Sequence, residues 1–120
     1  MPNNITKSLE ALMEIEGVLV AALVDAETGM VMGKEGSGMD VELAAAGNSE
    51  VVKAKLRIMH QLGLKGGIED ILITLTKQYH IIRPTAIQEG LFFYVVLDRV
   101  RANLALARLG ILKVEKNLVL

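Results

Sequence analysis

The chain has 120 residues, of which 13 are Lys or Arg and 14 are Asp or Glu, so its formal net charge is −1. The basic residues do not cluster with aromatic ones, which excludes the usual surface of a nucleic-acid-binding protein. Cysteine is absent, which excludes disulfides, thiolate metal sites and cysteine nucleophiles and is typical of a cytoplasmic protein. No apolar run is long enough to span a bilayer, so we expect no membrane insertion.

The composition indicates a single domain over residues 1–120 with an aliphatic core. Hydrophobic residues make up 52% of the chain but aromatic residues only 3%, so the core cannot be filled with large rings. A chain of this size has difficulty burying so much apolar surface by itself. We therefore expect self-association.

The hydrophobic pattern predicts eight secondary-structure elements. The first seven are a helix over residues 2–16, strands over 18–24 and 30–33, a helix over 40–62, and strands over 68–76, 79–83 and 91–97. The eighth is a helix that follows an Asp98 cap. Its apolar stripe consists of Val100, Leu104, Ala107, Ile111 and Val114. Asn3 or Asn4 is suited to cap the first helix and Asp40 the long one, while Gly36 and Gly38 predict a flexible joint before it.

The order of these elements predicts the fold class. No connection between strands requires a crossover, so the economical arrangement is an antiparallel sheet. We expect an α+β fold, a five-stranded antiparallel sheet with helices on both faces, in the order α-β-β-α-β-β-β-α.

The helix over residues 40–62 has an apolar arc that is wider than one sheet contact needs. At about 100° per residue, its polar side chains occupy only roughly a third of the circumference. A helix that covers a sheet needs an apolar stripe of only a little over about 100°. The surplus indicates a second protein surface. The polar third supplies the candidate partner-binding residues, unless it is simply a solvated face: Glu42, Ser49, Glu50, Lys53 and Arg57.

Two polar residues, Asn48 and Lys55, interrupt the apolar arc within about 20° of each other. In one interpretation, Asn48 is a buried polar residue that fixes the register between two packed helices. In the other, Lys55 extends its charge into solvent from the edge of the contact and Asn48 bonds locally. The sequence favours neither.

No group of residues indicates catalysis, a cofactor or a metal. The segment from Gly29 to Gly33 has too few residues between its glycines for a phosphate loop and does not open a helix. His60 and His80 lie on different elements without further ligands, so we expect a solvated and a hydrogen-bonded structural role respectively. We expect a protein that is not an enzyme.

The order and spacing of residues 20–33, 40–62, 79–84 and 103–109 resemble the roadblock/dynein light chain family, especially its stand-alone bacterial members that regulate small GTPases. The resemblance implies a homodimer in which the middle helices pack together and the third strands meet. The interface residues expected on this basis are Val41, Ala44, Ala45, Asn48, Val51, Val52, Lys55, Met59, Leu62, Ile71 and Ile73.

The same resemblance implies a non-catalytic homodimeric regulator or adaptor that binds a small Ras-like GTPase, with activation of its GTP hydrolysis as one form of regulation. The alternative function is a scaffold or assembly module of a motor or signalling complex, without nucleotide-linked activity. A small-ligand sensor is a third class, because a sheet with flanking helices can hold an apolar pocket. The predicted strands of this chain, however, carry no cluster of convergent polar groups.

Overall fold

The structure, a computed structural model, describes residues 2–120, and this part of the chain has the predicted order of elements. The elements are α1 (Ile5–Met13), β1 (Val18–Asp25), β2 (Met30–Gly36), α2 (Val41–Gln61), β3 (Ile71–Thr74), β4 (Gln78–Pro84), β5 (Leu91–Asp98) and α3 (Leu104–Lys116). The strands form one antiparallel sheet in the order β2-β1-β5-β4-β3. The predicted α+β fold is confirmed.

The two faces of the sheet carry separate cores because strand side chains alternate between faces. On one face, Phe93 of β5 is buried in a cluster with Leu12 of α1 and Ile111 of α3. On the other face, Tyr94 is buried in a cluster with Val52 of α2. β1 and β5 are covered on both faces, which explains their nearly continuous apolar sequences. Within the described residues, no helix is long and apolar enough to cross a membrane.

Several boundaries differ from those predicted. β2 continues through Gly36, which pairs with Val20 of β1 rather than starting a flexible joint. β3 is shorter than predicted, because only Ile71–Thr74 pairs with β4. The flanking residues of the 68–76 run form loops instead.

The last helix begins later than the Asp98 cap predicts. Asp98 does accept from the backbone N–H of Val100, at 3.1 Å, but this bond belongs to a turn. The helix cap is Asn103, whose side chain accepts from the Leu106 N–H at 3.0 Å. Val100 consequently lies outside the helix and is 93% exposed, so it is not part of the buried stripe.

The first helix is also shorter than predicted, and Asn4 has a different role from capping. Its side chain accepts from the Val119 N–H at 2.7 Å and donates to the Asn117 carbonyl at 2.7 Å. The cap-like bond comes from Asn3, whose Oδ1 accepts from the Ile5 N–H at 3.1 Å. Asn4 therefore joins the two ends of the described chain.

The close approach of β1 to the end of β2 generates a stability prediction. Gly36 and Gly38 both have positive φ, at 94° and 100°, but a Cβ on Gly36 would lie 2.2 Å from the Leu19 carbonyl oxygen, whereas a Cβ on Gly38 meets nothing within 4 Å. We expect Gly38→Ala to lower the free energy of unfolding by about 1 kcal/mol and Gly36→Ala by about 3 kcal/mol. Urea denaturation at one protein concentration measures both. Equal losses would contradict the steric argument.

Candidate interaction surface

α2 has two apolar faces, and the first of them is buried against its own sheet. Val41, Ala45 and Val52 are at most 5% exposed and belong to the core cluster around Tyr94. These three residues were expected in the dimer interface, but the chain's own sheet covers them. The expectation was wrong for these positions because it assigned the apolar arc to the interface without fixing the rotation of the helix.

Ser49 also lies on this sheet-facing side, although it was expected on the exposed polar third. It is 1% exposed, and its hydroxyl donates to the Ala45 carbonyl at 2.7 Å. A serine can satisfy its hydroxyl within its own helix in this way and remain buried. Ser49 is therefore not available to a partner, and its predicted role is wrong.

The second face of α2 is apolar and open to solvent, and we call it the outer apolar face. Its members recur every three or four residues along the helix: Leu43, Gly47, Val51, Ala54, Ile58 and Leu62, the last being the C-cap residue. Leu43 and Leu62 are 71% and 66% exposed, and Val51 and Ile58 are 41% and 44% exposed. Such a continuous exposed stripe is typical of an interaction surface.

Only Val51 and Leu62 of this face were in the expected interface. Leu43, Gly47, Ala54 and Ile58 of this face were not among the residues expected in the interface, although their spacing placed them in the surplus arc. The other expected members of α2 lie along the border between its two faces. Of these, Ala44, Asn48 and Met59 are half-buried and Lys55 is exposed.

Two contacts establish where the outer apolar face points. On one side of α2, Glu42 pairs with Lys34 of the edge strand β2 at 2.5 Å. On the other side, Ala44 packs against the core cluster that contains Tyr94 of β5. The helix thus packs over β1 and β2, and its outer apolar face turns away from β2, towards the half of the sheet formed by β4 and β3.

β3 adds to this surface as the free edge of the sheet. Within residues 2–120 it pairs with β4 alone, so one row of its backbone groups has no strand partner there. Ile71 packs against the core cluster on the α2 face, and by strand alternation Ile73 projects to the same face. Both are half-buried, as are many residues at the border of an interface.

Known proteins resemble this chain in fold but not in sequence. No protein-family model and no curated protein sequence matches the chain. Solved structures do match: a roadblock/LC7 domain from Streptomyces avermitilis has a TM-score of 0.77 at 16% identity, over 90% of this chain and 88% of that chain. A structure described as MglB with tetrameric arrangement has a TM-score of 0.82 at 15% identity, over 95% and 84%. Myxococcus xanthus MglB has a TM-score of 0.75 at 18% identity, over 92% and 84%.

The chain has the roadblock fold. These low identities establish the architecture alone, so what the surface binds has to be argued from its own residues.

A polar group lies under the open half of the roadblock sheet. His80 of β4 pairs in register with Ile73 of β3, and its ring meets Tyr94 edge-on. Its Nε2 is 2.9 Å from the Gln78 Oε1 and its Nδ1 is 3.0 Å from the Tyr94 hydroxyl. Each ring nitrogen thus has a hydrogen-bond partner, and the Tyr94 hydroxyl also lies 3.7 Å from the Met39 Sδ. The predicted hydrogen-bonded role of His80 is confirmed.

Burial affects both titratable groups of this network. It lowers the pKa of His80, because a charged imidazolium loses hydration there. It also raises the pKa of the Tyr94 hydroxyl, an effect that the neighbouring Asn48 side chain partly opposes. Both groups are thus held neutral over a wider pH range than in water.

The remaining candidate partner-binding residues lie on the exposed third of α2. Glu42 is engaged by Lys34, and the hydrogen bond from that ammonium lowers the pKa of the Glu42 carboxyl. Lys53 and Glu50 form an ion pair with each other at 3.2 Å, and Arg57 is exposed. These side chains do not converge on one point, and residues 2–120 contain no group of acidic or histidine side chains suited to a metal.

The depressed pKa of His80 generates a pH prediction. Below the usual value of 6.5, the unfolded chain binds a proton at this position more readily than the folded one. The contribution of the neutral His80 ring to the free energy of unfolding is therefore complete above pH 6.5. It is lost as the pH falls towards the pKa of His80 in the folded protein. We expect His80→Gln to flatten the decline in the free energy of unfolding between pH 7 and pH 5.5, as measured by urea denaturation. His60→Gln, at an exposed position on α2, is the matched control and should retain the wild-type slope.

Proposed function

We propose that the protein forms a homodimer through the outer apolar face of α2 and the free edge of β3, and that this dimer regulates a small Ras-like GTPase without catalysing a reaction itself. The observation that carries the dimer is the outer apolar face. Large aliphatic side chains stay exposed along its length, from Leu43 to Leu62, which is roughly 28 Å of helix. A second copy of α2 supplies the complementary surface.

The composition of the face favours a helix as its partner. A Cβ on Gly47 would meet nothing within 4 Å, and Ala54 lies two turns further along the same stripe. Small residues between larger ones let two helices approach closely, with side chains of one entering grooves of the other. Because an isologous contact uses the same patch on both copies, a twofold axis lets each face cover the other.

The free edge of β3 supports the same arrangement. A second β3 running antiparallel would satisfy the unpaired backbone groups of Ile71–Thr74 and join two five-stranded sheets into one. The partner's α2 would then lie over the open half of this sheet, above Ile73 and His80. One twofold rotation would therefore bring together both the α2 helices and the β3 strands of two copies.

The GTPase part of the proposal rests on the sequence resemblance and the fold. Solved MglB structures share the fold, one of them described as a gliding protein from Thermus thermophilus. The exposed third of α2 carries both charge signs on Glu50, Lys53 and Arg57, which suits a polar protein surface. We assign the dimer to the cytoplasm, in keeping with the lack of cysteine.

An assembly module is the second candidate function. Leu106 and Leu109 of α3 are 65% and 48% exposed on the opposite face of the sheet from α2. The proposed twofold contact leaves them uncovered, so they are available for a further protein contact. Such a module would bind its neighbours without responding to the nucleotide.

The dimer proposal predicts that Ile58→Glu dissociates the protein. Each dimer would then bury two unpaired carboxylates, each costing several kcal/mol. We expect a dissociation constant at least about a hundredfold higher in sedimentation velocity, with an unchanged circular dichroism spectrum because Ile58 is exposed in the monomer. Arg57→Glu introduces the same side chain one position away and should leave the dimer intact. A wild-type monomer at micromolar concentration contradicts the proposal.

The GTPase proposal predicts direct binding. Ras-like GTPases of the source organism, loaded with GDP or a non-hydrolysable GTP analogue, are titrated into the dimer by isothermal calorimetry. We expect one of them to bind with a preference for one nucleotide state and to change its hydrolysis or exchange rate on binding. Lys53→Glu/Arg57→Glu should weaken this binding about tenfold, and Glu10→Lys on α1 should not. Binding without nucleotide preference would favour the assembly module.

A further inference from the structure

A half-open groove of about 750 Å³ lies at one end of the sheet. Its walls are the C-terminal half of α2, the loop before β3 and the turn between β4 and β5. The floor is apolar and is formed by Val52, Leu56, Ile68, Pro84, Leu91 and Phe92. This volume is within the range of ligand-binding cavities, although the groove is open along one side.

The wall around the β4–β5 turn is held in place by the chain itself. Glu115 of α3 accepts from Arg83 Nε at 2.8 Å and from the Ala86 N–H at 3.0 Å. The Thr85 N–H also donates to the Leu91 carbonyl at 2.8 Å. Because these bonds join parts of the chain itself, a ligand need not order this wall.

The rim of the groove carries uncompensated negative charge. Its two cations are already engaged, Arg83 by Glu115 and Lys53 by Glu50. Three further carboxylates line the groove and are exposed, and in residues 2–120 none of them is in an ion pair: Glu27, Glu69 and Glu89. An occupant that carries positive charge is therefore favoured, and an anionic one such as a nucleotide is opposed.

The groove remains available in the proposed dimer. Val52 and Leu56 point roughly 150° away from the centre of the outer apolar face, counted at about 100° per residue. A second copy packed on that face would leave these two residues uncovered. Binding in the groove and dimerisation through α2 therefore use separate sides of one helix.

We propose that this groove binds a short extended segment of another protein, in which a large aliphatic or aromatic side chain is flanked by Lys or Arg. The apolar floor receives the large side chain, and the three free carboxylates receive the flanking cations. The open side favours a chain that enters and leaves the groove over an enclosed small molecule. This inference does not rest on the GTPase proposal, because its apolar floor and its three free carboxylates lie outside that surface and only Lys53 belongs to both.

The test uses random dodecapeptides displayed on phage and selected against the wild-type protein. We expect the enriched sequences to combine an aliphatic or aromatic residue with flanking Lys or Arg. A fluorescein-labelled peptide of that kind should bind roughly tenfold more weakly to Glu27→Gln/Glu69→Gln/Glu89→Gln in fluorescence anisotropy, and more weakly to the wild type at high salt. These three residues are exposed, so their substitution should not impair folding.

The matched control is Glu10→Gln/Glu14→Gln/Glu16→Gln, which removes three exposed carboxylates at and after α1, outside the groove lining. This variant should bind the peptide as the wild type does. The proposal is overturned if no sequence is enriched, if the enriched sequences lack basic residues, or if both triple variants weaken binding equally. A second copy of the chain would be the occupant if peptides do not bind and Glu27→Gln/Glu69→Gln/Glu89→Gln alters the sedimentation of the unliganded protein. That result also overturns the proposal.

Discussion

The structure depends on one constraint. The single helix α2 covers the sheet with only part of its apolar arc, so the rest of that arc lies outside the contact with the sheet. α2 meets the sheet through small and branched side chains, from Val41 at its start to Val52 past its middle. Ala45 and Ser49 let the helix lie close to the strands, since neither has a long side chain to accommodate. This close contact fixes the rotation of α2. Every other surface property of the helix follows from that rotation, including which leucines stay in water.

The polar network under the open half of the sheet links this rotation to the edge of the molecule. Tyr94 is buried in the α2 core, and its hydroxyl reaches the His80 ring beside β3. A polar chain of this kind is stable only if all its members are satisfied, and both ring nitrogens of His80 have a partner. The network therefore prefers one arrangement of β4 against β5. β4, which carries His80, is the strand that pairs with β3 at the free edge of the sheet.

Much of this architecture could be predicted from the sequence because periodicity and capping are local. Asp40 accepts from the Leu43 N–H at 3.0 Å, and the long helix begins where the sequence indicated. The rotation of that helix could not be predicted, since it is set by tertiary contacts with β1 and β2 and with buried residues such as Tyr94 of β5. Ser49 illustrates the difficulty. Its polarity predicted an exposed position, but its small side chain allows it to be buried against the sheet. The groove escaped prediction for a related reason, because its lining comes from six separate segments.

The division of α2 into sectors has a consequence for how the domain can be regulated. One sector is committed to the sheet, a second is the outer apolar face, and a third carries the exposed charges of Glu50, Lys53 and Arg57. Lys53 also lines the groove, where its ammonium is paired with Glu50. A cationic segment entering the groove would compete with that ammonium for nearby carboxylates. A partner on the charged sector and a peptide in the groove would therefore influence each other through this one ion pair, with no movement of the helix required. Two binding events that share a charged side chain are coupled reciprocally, so each would change the affinity of the other by the same factor.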